Sequence, residues 1–205
     1  MSKNPTGKEI TDYFRSNIYE SFSAYNAWKM LFLCKSKKEF SEKMAERYVE
    51  ILKYHKDFFA IAERSFLAHF VVVCLHSFDK DNNSYSLYKV DRKNTEIFVE
   101  NNKETIKDLR ILRNKVFAHK DIKEIRPKIP SVKSLDKFFK NLIDFYNQLT
   151  SELHSSKTMF DNAESVKRGI ELLFMNLYRG EAVRKKEIDI KWSWEEDKKK
   201  ASDVL

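Results

Sequence analysis

Hydrophobic positions recur at helical intervals along most of the chain. The clearest single stripe consists of Ile106, Leu109, Leu112 and Val116, which are separated by three, three and four residues. By the same criterion, helices are predicted over 8–33, 39–52 and 55–78, from 102 into the segment 113–121, from 134 and from 161. The pattern therefore predicts an all-α protein, a bundle of about five to six helices.

Turn-forming residues predict where several of these helices end. The sequence IRPKIP at 125–130 contains two prolines, which stop the helix that runs into the segment 113–121. Asp161 and Glu164 have the spacing of a capping box at the start of the last helix, and Gly180 is predicted to end it.

These boundaries predict one helical bundle domain over 8–180, followed by a charged and partly disordered C-terminal appendage over 181–205. The alternating sequence EIDIKWSW at 187–194 is compatible with a short strand. The short segment 87–101 combines β-branched and charged residues, and its pattern supports no assignment of secondary structure.

The third predicted helix contains the longest apolar run, FLAHFVVVCL at 66–75. Because this run is apolar on every side, it predicts a central, buried helix. It is too short to span a bilayer and contains His69, so no membrane association is expected. Cys34 and Cys74 lie in apolar surroundings and are interpreted as buried small hydrophobic residues. Since the first ten residues have no apolar core, we expect a cytoplasmic protein.

Composition supports the helical prediction and adds a charge preference. Only three glycines and three prolines occur in 205 residues, too few for many tight turns. The formal net charge is +8, with a sequence pI of about 9.2. A basic surface favours polyanionic partners, either nucleic acid, an anionic membrane face or an acidic protein.

The segment RNKVFAHKD at 113–121 carries the side chains with the clearest chemistry. Six residues in a regular helix place Arg113 and His119 about 120° apart, so they do not share one face. A two-fold dimer would bring two copies of each into one cleft. Arginine binds phosphate with paired charged hydrogen bonds, histidine transfers protons at neutral pH, and Asn114 offers a donor and an acceptor. This set suits metal-free cleavage of RNA by its own 2′-hydroxyl.

The same segment resembles the signature of the HEPN superfamily, in which an arginine and a polar residue precede a histidine by four to six residues. Arg113, Asn114 and His119 fill these places. The resemblance is closer to the abortive-infection AbiU-type branch, whose fuller form has a leucine, Arg-Asn or Arg-Asp, then Ala-His and often an acidic residue. Leu112, Ala118 and Asp121 complete that form, and HSFDKDNNSYSL at 76–87 also resembles the branch.

The resemblance implies a helical bundle that forms homodimers with the motif helices facing each other. It also implies a metal-independent ribonuclease of phage defence or toxin–antitoxin control, with an antitoxin protein as a further partner. Arg113 would bind the scissile phosphate, His119 would act as general acid or base, and Asn114 would orient phosphate or ribose. Asp121 is a weaker candidate for orienting His119.

A basic cluster flanks the motif and is the candidate path for the RNA backbone, with transfer RNA among the candidate substrates. Its members are Lys115, Lys120, Lys123, Arg126 and Lys128. The alternative interpretation is a solvated loop, because Asp121 and Glu124 dilute the positive charge.

Two further alternatives remain open at the level of sequence. The motif also fits an ordinary helix C-terminus, where His119 and Lys120 complement the helix dipole, in a catalytically inactive module that binds RNA or a protein. His69, Cys74 and His76 lack the spacing of a zinc site, so no metal and no cofactor are expected.

Overall fold

The computed structural model describes residues 7–81, 84–114, 128–151 and 157–189. Within these residues the chain forms seven α-helices and two short 3₁₀ helices, and it contains no strand. The α-helices are α1 (Gly7–Leu33), α2 (Glu42–Tyr54), α3 (Lys56–His76), α4 (Arg92–Asn101), α5 (Lys103–Leu112), α6 (Val132–Thr150) and α7 (Ser165–Asp189). The 3₁₀ helices are Leu87–Lys89, before α4, and Asp161–Glu164, before α7. The predicted all-α bundle is confirmed.

The additional helix is α4, which lies in the segment left unassigned by the sequence pattern. Asp91 caps its start, because Oδ1 accepts the backbone N–H of Asn94 at 3.0 Å. Only Thr95 and Phe98 of this helix are buried. Two buried positions in ten residues are too few to form a hydrophobic stripe that the sequence would reveal. The start of α4 is marked instead by the Asp91 cap and by the 3₁₀ helix that precedes it.

The prediction that Gly180 ends the last helix is wrong. Helix α7 continues to Asp189, crossing the boundary placed at 180, so Glu187–Asp189 are helical and not part of a strand. Contacts with the α2–α3 corner support the extension. Lys185 Nζ lies 2.5 Å from Glu50 Oε1, and the guanidinium of Arg184 lies 5.5 Å from the Tyr54 ring centroid.

The start of α7 also differs from the capping-box prediction. Residues 161–164 form the 3₁₀ helix, and α-helical geometry begins at Ser165. Ser165 Oγ donates a hydrogen bond to Asn162 O at 2.6 Å at this junction.

Helix α1 occupies the centre of the main core. Its buried aromatic residues pack against apolar residues of α3, α5 and α6. Tyr25 stacks on Phe139 of α6 with ring centroids 4.7 Å apart, and its edge meets Phe70 of α3 at 5.6 Å. The end of α1 joins a second cluster with α2, α3 and α7, in which Phe174 of α7 stacks on Phe59 of α3 at 5.0 Å.

Helix α3 is less buried than its apolar sequence predicts. Phe70 and Cys74 are buried, as expected, but Val72 is 45% exposed and Ile61 is 67% exposed. The helix packs on α1 with one face and leaves another uncovered in the described chain. It is also long and apolar enough to pass a length-and-composition test for a membrane span, a test that core helices of water-soluble proteins pass too.

The two cysteines are buried free thiols, as predicted. Burial raises the pKa of the Cys34 thiol to about 11 and that of the Cys74 thiol to about 12. Both residues are therefore small apolar components of the core at neutral pH.

Candidate functional site

Helix α5 positions the start of the motif. Its predicted stripe is confirmed for Ile106, Leu109 and Leu112, which are all buried in the main core, whereas Val116 lies outside the described residues. At the other end of the helix, Asn141 of α6 donates a hydrogen bond from Nδ2 to Asn102 Oδ1 at 3.1 Å. This hydrogen bond anchors the start of α5 to α6, and the buried side chains anchor the rest of the helix up to Leu112, directly before Arg113.

Arg113 and Asn114 follow the last buried residue of α5 in π-helical geometry. The backbone N–H of Arg113 is within hydrogen-bonding reach of both Arg110 O and Leu109 O. Arg113 is half-buried and Asn114 is exposed, so both side chains lie at the surface beside the core.

The two side chains are joined directly. Arg113 Nε donates a hydrogen bond to Asn114 Oδ1 at 3.1 Å. This bond uses only Nε, so the terminal nitrogens of the guanidinium keep the paired geometry that suits a phosphate. Arg113 forms no ion pair with another residue in the described ranges. Within the described ranges, the arrangement is a cation oriented by the neighbouring amide.

The other predicted site residues lie outside the described residues. They are His119, Lys115, Lys120, Asp121, Lys123 and Arg126. Their proximity to Arg113 stays a prediction. Lys128, the last member of the basic cluster, is described and is exposed.

Sequence analysis did not single out Arg110 of α5 and Tyr88, which interact electrostatically. Tyr88 lies in the 3₁₀ helix before α4, and its hydroxyl is buried without a hydrogen-bond partner in the described chain. Burial raises the pKa of Tyr88, and the positive charge of Arg110 acts in the opposite direction. No local pattern marks this pair, because the two residues are 22 positions apart in the chain.

The histidines of α3 do not form a metal site with Cys74. His69 Nε2 lies 3.8 Å from Glu20 Oε2 at the surface, and His76 Nδ1 lies 3.4 Å from Tyr13 Oη. Among the described residues, no group of three histidine, cysteine or carboxylate side chains is placed to hold a metal ion.

Comparison with protein families identifies the chain. The family model HEPN_AbiU2, described as AbiU2, matches residues 8–172. The chain belongs to this family. Comparisons with curated proteins and with solved structures found no match. The protein is thus a member of an abortive-infection-related HEPN family, and the matched range includes the whole segment 113–121.

Proposed function

We propose that this HEPN_AbiU2 protein is a metal-independent endoribonuclease that cleaves RNA through its 2′-hydroxyl. The observation that supports the proposal best is the oriented Arg113–Asn114 pair, joined at 3.1 Å at the end of α5. The pair lies within residues 8–172, the range that the HEPN_AbiU2 family model matches. An arginine held in this way is suited to the charge that develops on phosphorus-bound oxygens.

The proposed reaction needs two proton transfers and one stabilising cation. The 2′-oxygen forms a bond to phosphorus as a base removes its proton, and the bond from phosphorus to the 5′-oxygen breaks as that oxygen gains a proton. The products are a 2′,3′-cyclic phosphate and a 5′-hydroxyl. Arg113 stabilises the intermediate charge, and Asn114 holds Arg113 and orients the phosphate or ribose. His119 transfers a proton, with Asp121 orienting its ring.

The proposed working form is a homodimer in which the motif helices face each other across a two-fold axis. Two copies of the α5 end then line one cleft, which supplies a second arginine and histidine to the same RNA. Lys115, Lys120, Lys123 and Arg126 are proposed to bind backbone phosphates. Transfer RNA is a candidate substrate and an antitoxin protein a candidate partner, in a cytoplasmic phage-defence or toxin–antitoxin setting.

The experiment is a comparison of cells that express the wild type, His119→Ala or His69→Ala at equal protein level. RNA ends that carry a 5′-hydroxyl are sequenced before and after induction, and again during phage infection. His69 is the matched control because its side chain is half-exposed on α3, outside the motif. We expect new 5′-hydroxyl ends with the wild type and His69→Ala, and none with His119→Ala.

The same experiment tests a second candidate function, in which the protein is a module that binds a protein partner without catalysis. The observation that favours it is the apolar exposed face of α3, where Phe58 is 60% and Ile61 is 67% exposed. Identical profiles of RNA ends in all three strains, with and without phage, would contradict the ribonuclease proposal and favour this module.

A further inference from the structure

Helix α3 carries an apolar stripe, the α3 seam, on the side that faces away from the core. Its members are separated by alternating steps of three and four residues, and they are Phe58, Ile61, Ser65, Ala68 and Val72. The same alternation marks the contact line between two paired helices. Phe58, Ile61 and Val72 are exposed, so the large side chains of the seam are uncovered in the described chain.

The core of one chain does not use the seam. Phe59 is buried in the second core cluster, and Phe70 and Cys74 are buried in the main one. These side chains lie on other sides of α3, since consecutive residues such as Phe58 and Phe59 are turned by about 100° around a helix. A contiguous line of large exposed apolar side chains marks an interaction surface.

One edge of the seam carries two opposite charges, on Asp57 and Arg64. Both residues are exposed, and neither forms an ion pair within the described ranges. They are seven residues apart, which is about two helical turns, so they stand on the same edge, about 10 Å apart along the helix axis. The edge therefore presents a carboxylate and a guanidinium that are both available to a partner.

Antiparallel pairing of α3 with the same helix of a second copy satisfies both features. A two-fold axis that passes midway between Asp57 and Arg64, beside Ala60, places Asp57 of each copy opposite Arg64 of the other. The same axis places Phe58 of each copy beside Ile61 of the other. One patch thus contacts itself, as the two-fold interface of a homo-oligomer requires.

The charges select this register and this occupant. A two-fold axis beside Arg64 would bring two arginines together, and an axis beside Asp57 would bring two carboxylates together, so like charges disfavour both alternatives. A different protein would have to carry the reverse pattern, whereas this chain is complementary to itself. Exposed ion pairs add little affinity, so Phe58 and Ile61 supply the attraction and the charges set the alignment.

The bulky half of the seam lies away from the motif. The neighbours of Phe58 and Ile61 on α3, Phe59 and Ala62, pack in the second core cluster with α2 and α7. Helix α5, which ends at Arg113, packs in the main cluster instead. Pairing through the seam and a dimer of the motif helices therefore use different parts of the chain.

We propose that the α3 seam is an interface between two copies of this chain, paired antiparallel about a two-fold axis beside Ala60. Phe58 and Ile61 form its apolar centre, and Asp57 and Arg64 form two ion pairs at its edge. This assigns the exposed face of α3 to a second copy and not to a different protein. It does not depend on ribonuclease activity, and together with a motif-helix dimer it would build a tetramer.

Sedimentation equilibrium of the full-length protein, over a wide range of micromolar concentrations, tests the apolar centre. Ile61→Asp is expected to remove one step of association, which halves the mass reached at high concentration. Val183→Asp is the control, because Val183 is an exposed apolar residue of α7 outside the seam. Since Ile61 and Val183 are both exposed, each variant is expected to keep the thermal unfolding of the wild type.

Charge exchange tests the register. Asp57→Arg alone and Arg64→Asp alone bring like charges together, so each is expected to weaken self-association about tenfold. An equimolar mixture of the two variants is expected to associate as the wild type does, because every arginine at the edge then faces an aspartate of the other copy. Arg179→Asp, at an exposed position of α7, is the control and is expected to leave association unchanged.

Three results would overturn the proposal. Equal masses of the wild type and Ile61→Asp at every concentration would exclude the seam as a contact between copies. A mixture that associates no better than its components would exclude the two-fold register. Co-sedimentation of a monomeric wild type with anionic phospholipid vesicles, lost in Ile61→Asp, would identify a membrane surface as the occupant. Restored association in the mixture, with a halved mass for Ile61→Asp, supports the proposal.

Discussion

Asn114 lies beside Arg113 as its hydrogen-bond acceptor, with 3.1 Å between Asn114 Oδ1 and Arg113 Nε. Asn114 is exposed, so its substitution is expected to change the free energy of unfolding by no more than about 0.5 kcal/mol. The contact therefore matters for the orientation of the guanidinium and hardly for stability.

Two substitutions of Asn114 test this orientation. Asn114→Leu removes the acceptor and is expected to lower RNA cleavage about tenfold, the effect of one hydrogen bond. Asn114→Asp keeps an acceptor at the same place, as in the Arg-Asp form of the AbiU-type signature, and is expected to retain most of the activity. The measurement is the yield of new 5′-hydroxyl ends per amount of protein; equal yields from both variants would contradict an orienting role.

Arg113 is expected to act through its shape as well as its charge. Arg113→Gln should lower the cleavage rate by about 10²–10³, as the loss of one oxyanion-hole donor does in an acyl-transfer enzyme. Arg113→Lys keeps the charge but loses the paired donors, so its rate should fall between Gln and the wild type. Arg179→Gln is the control, and wild-type rates for Arg113→Lys would show that a simple point charge suffices.

The continuity of α7 through Gly180 predicts opposite effects of two substitutions there. A Cβ on Gly180 meets no heavy atom within 4 Å, so Gly180→Ala is expected to stabilise the protein by about 0.5–1 kcal/mol. Gly180→Pro should cost about 3 kcal/mol, because proline removes an interior helical hydrogen bond. Urea unfolding measures both, and a well-tolerated proline would mean that the helix ends at 180 in solution.

The buried thiols predict a loss of stability at alkaline pH. Folding raises the pKa of Cys34 to about 11 and that of Cys74 to about 12, from the ordinary thiol value of 9.0. The unfolded chain therefore loses these protons at a lower pH than the folded chain does. The stabilisation that the buried thiols provide is fully present below pH 9 and is lost as the pH rises through about 11 and 12. Each thiol should contribute up to about 1.4 kcal/mol per pH unit.

Urea unfolding between pH 7 and pH 11 measures this slope. Cys34→Ala and Cys74→Ala are each expected to lower stability at pH 7, because they leave a cavity, and to flatten the alkaline slope. The slope is the decisive quantity. An unchanged slope in both variants would assign the alkaline transition to other groups, such as buried Tyr25, whose pKa burial also raises.

Sequence patterns predicted the parts of the fold that depend on a continuous apolar stripe. Ile106, Leu109 and Leu112 repeat at helical spacing and are buried, so α5 was predictable. Helix α4 was not, because its side-chain burial is limited to Thr95 and Phe98. At Gly180, a local stop signal was overridden by contacts with Glu50 and Tyr54, which are remote in sequence.

The candidate site divides in the same way. Arg113 and Asn114 were found through a motif written in consecutive residues, and the structure places them together. Tyr88 and Arg110 interact electrostatically across 22 positions of the chain, so no local spacing rule reveals them. The roles of His119, Asp121 and the flanking lysines rest on the family signature and stay predictions.

The family-matched region and the unit that can fold alone have different C-terminal limits. The match ends at residue 172, whereas Phe174 is 1% exposed, and its ring centroid lies 5.0 Å from that of Phe59 and 4.7 Å from that of Tyr48. A chain that ended at residue 172 would expose the rings of Phe59 and Tyr48. It would also lose the contacts that α7 makes with the α2–α3 corner. Deletion series and fusion partners designed for this protein should therefore retain the chain through Asp189.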